Sequence, residues 1–149
     1  MNHRVIIVGE APNTRGFDKY NTQSGQRLLK MAGEELPWHN VYETLPEKWE
    51  PEVARERIRT WLTQHPYDSE PLILLGRKVQ AAFDIYNAEW LSWWASPEHR
   101  HPMIIFPHTS GRVQWWNDEK NMATATELLQ ALVNGSLPYV EHKNKREDV

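Results

Sequence analysis

The sequence predicts an α/β fold: a three-layer α/β/α sandwich around a central, mostly parallel four-stranded sheet. Two observations carry this. Four short apolar runs, bounded by Gly or Pro, fit strands buried on both faces, and segments with helical spacing lie between them. Each run also opens directly into a polar turn. Val5-Ile6-Ile7-Val8 leads to Gly9-Glu10-Ala11-Pro12-Asn13, and Asn40-Val41-Tyr42 to Thr44-Leu45-Pro46. Leu72-Ile73-Leu74-Leu75 leads to Gly76-Arg77, and Met103-Ile104-Ile105-Phe106 to Pro107-His108-Thr109-Ser110-Gly111. In a parallel sheet these turns crowd along one edge, outside the carboxyl ends of the strands, where open α/β sheets bind ligands. A carboxylate, an amide and an imidazole would then share one cleft.

The intervening helices are read in chain order. Ser24 to Ala32 places Leu28, Leu29, Met31 and Ala32 in a short helix, with Gly33 as its stop. Pro51 to Gln64 starts with proline at the first helical position and sets Val53, Ala54, Ile58, Trp61 and Leu62 on one face. Arg77 to Tyr86 carries Val79, Ala82, Phe83 and Tyr86. Asp118 to Val133 carries Met122, Ala125, Leu128, Leu129 and Leu132, and ends near Gly135. Alternating strand and helix gives a doubly wound sandwich. One domain is expected over residues 1–139, followed by a polar, flexible tail over 140–149. No internal repeat or low-complexity tract interrupts it.

Composition narrows the chemistry. The chain has 149 residues and no cysteine, which excludes disulfides, cysteine-ligated zinc, a thiol nucleophile and cysteine-held iron–sulfur clusters. No apolar stretch approaches the roughly 20 residues of a membrane span, and Met1-Asn2-His3-Arg4 is too short for a signal n-region. The expectation is a cytoplasmic monomer. A formal net charge of −3 argues against general nucleic-acid binding, so any DNA contact must come from a local patch. The eight tryptophans supply core and rim packing, with some available as stacking surfaces.

Singly, each turn reads as an ordinary turn. Together they resemble the uracil-DNA glycosylase superfamily, above all its thermostable iron–sulfur family. The first motif of that family, Gly-Glu-Ala-Pro-Gly, is similar to Gly9-Glu10-Ala11-Pro12-Asn13. A glycine leading into a Leu-rich helix matches Gly25-Gln26-Arg27-Leu28-Leu29, and Asn-Val-Val-Lys-Cys-Arg-Pro matches Asn40-Val41-Tyr42-Glu43-Thr44-Leu45-Pro46. A Leu-Gly-Arg stretch matches Leu75-Gly76-Arg77-Lys78-Val79-Gln80-Ala81. The closing His-Pro-Ser motif appears as His108-Thr109-Ser110, continued by Gly111-Arg112 as in the single-strand-selective monofunctional glycosylases. The resemblance spans roughly residues 5 to 133.

The departures are specific. Thr44 stands where the iron–sulfur family has a cluster cysteine, so no cofactor is expected. Asn13 replaces a pocket glycine, Thr109 replaces a proline, and the loop between Asn13 and Gly25 is shorter. Counting back from Gly25 selects Tyr20 as the base-stacking aromatic; counting forward from Pro12 falls in sequence this chain lacks, with Phe17 nearest.

The resemblance implies removal of uracil or a related 5-substituted pyrimidine from DNA. Breaking an N-glycosidic bond leaves a cation-like sugar and an anionic base, and both charges must be stabilised as they form. Glu10 would hold or deprotonate the attacking water and steady the sugar cation; His108 would donate to a carbonyl of the departing pyrimidine. Asn40 would pair with the polar edge of the flipped base, Tyr20 would stack on it, and Ala11 and Asn13 would line its pocket. Arg112 would wedge into the emptied stack, while Pro12, Thr109 and Ser110 would meet the DNA backbone. No lysine occupies a Schiff-base position in these motifs, so a monofunctional enzyme is expected. Two other readings compete. One is a catalytically silent base- or DNA-binding module on the same fold. The other is a metal-dependent hydrolase built on His99, His101 and His108, with Glu98 beside them.

Overall fold

Five strands form one sheet in the order β2-β1-β3-β5-β4. The computed structural model describes residues 5–11, 22–43, 46–64, 70–96, 99–109 and 113–135, with side chains 95–100 excepted. The strands are β1 (Ile6–Gly9), β2 (Trp38–Asn40), β3 (Leu72–Leu75), β4 (Trp93–Ser96) and β5 (His99–Phe106). The first three and β5 pair in parallel; β4 pairs antiparallel with β5 at the edge. All four residues of β3 are buried, as its unbroken apolar run requires of a central strand.

Four helices, α1 (Gln23–Ala32), α2 (Pro51–Gln64), α3 (Arg77–Ala82) and α4 (Glu119–Val133), cover the sheet. Alternation along the strands splits the core in two. Ile7, Ile73, Leu75, Ile104 and Phe106 face Leu28 and Met31 of α1 and Leu129 and Leu132 of α4. Val8, Leu72, Leu74, Met103 and Ile105 face Ala54 and Ile58 of α2 and Val79 and Ala82 of α3. This is the three-layer α/β/α sandwich. Each fully buried aliphatic side chain contributes about 1.5–3 kcal/mol, so the sheet rows dominate the stability.

Local signals set the helix ends. The Thr22 hydroxyl accepts from the Gly25 N–H at 2.9 Å, and Gly33 closes α1 at φ +82°, donating to the Leu29 carbonyl at 2.8 Å. Asp118 caps α4, accepting from the Lys120 N–H at 2.8 Å. Caps of this kind contribute about 1 kcal/mol each.

The sheet has five strands rather than four. β5 begins four residues before its apolar run, and β4 pairs along both parts, Ser96 with His99 in the extension and Trp94 and Trp93 with Met103 and Ile104 in the run. β2 also precedes its apolar pair: Val41 and Tyr42 are buried in the turn, donating to the carbonyls of Gly9 and Glu10 at 2.9 and 3.0 Å. The helix expected to reach Tyr86 stops at Ala82, because Asp84 adopts φ 60° and the Ile85 N–H returns to the Gln80 carbonyl at 3.2 Å. That is a Schellman end, with aspartate where glycine is usual. The proposed 140–149 tail lies outside the described residues.

Candidate active site

The chain visits β2 on one side of β1 and β3 on the other, so the strand order reverses between β1 and β3. A crevice opens beyond the carboxyl ends of strands at such a reversal. The register places the predicted residues there. Gly9 pairs with Asn40, Val8 with Leu74, and Leu75 with Phe106. Glu10, Gly76 and the Pro107–His108 step therefore leave the sheet at one level.

Gly76 shows how closely the two catalytic candidates approach. Its φ of +91° is a conformation that side chains disfavour. A Cβ placed there would lie 3.6 Å from Glu10 Oε2, 3.4 Å from His108 Cβ and 3.7 Å from His108 Cδ2. The carboxylate and the imidazole thus flank one small gap, which the missing side chain keeps open. Both side chains are half-buried, so they remain accessible to a ligand.

The segment bearing His108 is held from several sides. The Phe106 carbonyl accepts from the Gly76 N–H at 2.8 Å, and the His108 carbonyl accepts from Trp116 Nε1 at 2.9 Å. Arg27 Nη1 donates to the Thr109 carbonyl at 3.3 Å, and the hydroxyls of Ser24 and Thr109 share a short hydrogen bond. Thr109 is fully buried. Its hydroxyl, expected with backbone donors to hold a flanking phosphate, is engaged by Ser24 of α1 instead.

Asn40 sits on β2 with its Oδ1 accepting from Trp38 Nε1 at 2.9 Å. Gly9 permits this, since a Cβ there would come within 2.7 Å of Trp38 Nε1 and 2.8 Å of Asn40 Oδ1. Ala11 is half-buried and packs on the α2–α3 side of the core. Pro12, Asn13, Phe17, Tyr20, Ser110 and Arg112 lie outside the described residues. A groove of about 460 Å³ between β2 and α2 is bordered by His39, Asn40, Arg57 and Trp61, and it includes neither Glu10 nor His108.

Glu98 and the side chain of His99 lie outside the described residues, and the other two histidines of the metal reading stand apart. His101 and His108 are seven positions apart on an extended segment, about 20 Å, at opposite ends of the sheet. His101 is 2% exposed, with Nδ1 2.9 Å from the Glu70 carbonyl oxygen. Among the described residues, no group of three His, Asp or Glu side chains is placed to hold a metal ion.

Two contributors escaped the sequence reading: Gly76, whose signal is a glycine at a strand's carboxyl end, and Trp38, two positions before Asn40 on the same strand face. No protein-family model and no curated protein matches the chain.

Proposed function

We propose that this protein is a monofunctional DNA glycosylase that hydrolyses the N-glycosidic bond of uracil or a related 5-substituted pyrimidine. The observation that supports it is the pairing of Glu10 and His108 across the gap at Gly76, beyond the carboxyl ends of β1, β3 and β5. The target nucleotide is flipped out of the helix so that its glycosidic bond enters the gap. Glu10 orients a water towards the anomeric carbon and takes its proton as the new C–O bond forms. The C–N bond breaks, its electron pair passes to the base, and His108 donates a hydrogen bond to the carbonyl where that charge collects. Asn40 reads the edge of the base.

A hydrolytic route suits the available nucleophiles. Lys78, in the first turn of α3 two positions after Gly76, is exposed, and its Nζ lies 5.6 Å over the ring of Trp49. On this reading water is the nucleophile, and the product is an abasic site with an intact strand. A cytoplasmic monomer acting on DNA belongs to the same proposal. No described helix is long and apolar enough to cross a membrane.

The test uses oligonucleotides carrying uracil, hydroxymethyluracil, hypoxanthine or a thymine mispair, incubated with the protein and then treated with alkali. Alkali-dependent cleavage at the uracil or 5-substituted position is expected. Retention of the oligonucleotide without cleavage would replace this reading with a catalytically silent binding module, the alternative that the net charge of −3 and the altered Asn13 position favour.

A further inference from the structure

An amide carries a donor and an acceptor side by side, and turning it over exchanges them. The two orientations read different pyrimidines. A 4-oxo pyrimidine presents N3–H as donor and O4 as acceptor. A 4-amino pyrimidine presents N3 as acceptor and N4–H as donor. An Asn40 free to turn would accept either edge.

Trp38 removes that freedom. An indole Nε1–H can only donate, and it lies 2.9 Å from the Asn40 side-chain oxygen. The atom facing Trp38 must therefore be oxygen, and Nδ2 carries its two hydrogens on the other side. Strand geometry makes the pairing possible, because positions 38 and 40 fall on one face of β2. The neighbouring strand makes the room. Gly9 is the register partner of Asn40, and a Cβ there would intrude on both atoms of the bond, at 2.7 and 2.8 Å.

Resting on the base-excising reading above, we propose that Trp38 is a positioning residue: seated over Gly9, it locks the Asn40 amide in the orientation that selects 4-oxo over 4-amino pyrimidines. The second lone pair of Oδ1 accepts from N3–H, and Nδ2 donates to O4. Cytosine would set N4–H against Nδ2–H and N3 against Oδ1, donor to donor and acceptor to acceptor.

The experiment compares single-turnover excision of uracil and of cytosine, placed at the same position of one single-stranded oligonucleotide. It uses wild type, Trp38→Phe and Gly9→Ala, with binding of free uracil and free cytosine measured in parallel. Trp38→Phe should lower the uracil-to-cytosine preference about tenfold, what one net hydrogen bond is worth. Gly9→Ala should do likewise with the indole still present. A merely structural role would slow both bases in proportion, so an unchanged ratio in folded Trp38→Phe overturns the proposal. Should that variant not fold, an unchanged ratio in Gly9→Ala overturns it. Should wild type excise neither base, the glycosylase reading fails separately. The binding arm then decides: a uracil preference that Trp38→Phe erases supports the lock, and equal binding of both bases by wild type overturns it.

Discussion

The sheet carries a glutamate and a histidine at each end, and the two pairs behave differently. At the carboxyl end, Glu10 and His108 are half-buried and separated by the gap over Gly76. At the amino end, Glu70 precedes β3 and His101 lies in β5. There, His101 Nδ1 meets the Glu70 backbone carbonyl at 2.9 Å, and the ring lies 6.4 Å from Trp61, nearly parallel to it. His101 Nε2 and Glu70 Oε1 are buried with no hydrogen-bond partner. Residue type is therefore no guide to role. The end of the strands is. Parallel strands leave their turns and the reversal of strand order at the carboxyl edge, where a gap can persist; at the amino edge His101 is enclosed, and the half-buried Glu70 turns Oε1 inward.

Substitutions at the two ends should separate the pairs. The largest effect belongs to Glu10→Gln, which removes the proton acceptor and keeps the shape: excision should fall on the order of 10²–10⁴-fold with the melting temperature unchanged. Wild-type turnover would end the assignment. His108→Ala should slow excision by a comparable factor while affinity for abasic product, measured by titration, stays near wild type, since the imidazole acts on the departing base. If metal chelation reproduced that loss in wild type, the hydrolytic reading without metal would fall. Gly76→Ala fills the gap between the pair and strains a φ of +91°. Activity should drop at least tenfold, against a stability cost of about 1 kcal/mol, read by excision rates beside urea denaturation. The contrast is sharpest at the other end. His101→Ala should cost about 2–4 kcal/mol of stability by opening a cavity and losing a hydrogen bond, yet leave the excision rate of the folded fraction within about twofold of wild type. A large rate loss there would erase the distinction between the two ends.

These differences bear on what could be read in advance. β3 and α2 were readable to the residue, because one is apolar throughout and the other has proline at its first position and a stripe at helical spacing. β4 was not. Trp93-Trp94-Ala95-Ser96 shows no alternation of its own, and its order comes from antiparallel pairing with β5. The end of α3 was missed because Asp84 takes a conformation for which glycine is the expected signal. Glu10 and His108 stood out because each follows an apolar run into a turn. What could not be seen was the distance between them, which depends on a third turn at Gly76. The engagement of the Thr109 hydroxyl was hidden for a related reason: a hydroxyl in a turn looks available until a helix from elsewhere, here α1, covers it.

The hold of α1 on the last turn has a consequence in time. Ser24 and Thr109 are 85 positions apart, and contacts so distant along the chain form late, after the loop between them has closed. At a synthesis rate of about 5–20 residues per second, roughly 4 to 17 s separate the appearance of the two residues. Within that interval β2 and β3, the partners that order β1 and so place Glu10, are made first, and the imidazole opposite follows only at residue 108. A nascent chain that has not reached residue 108 therefore lacks one side of the gap over Gly76, and the Glu10–His108 arrangement is completed late rather than by degrees.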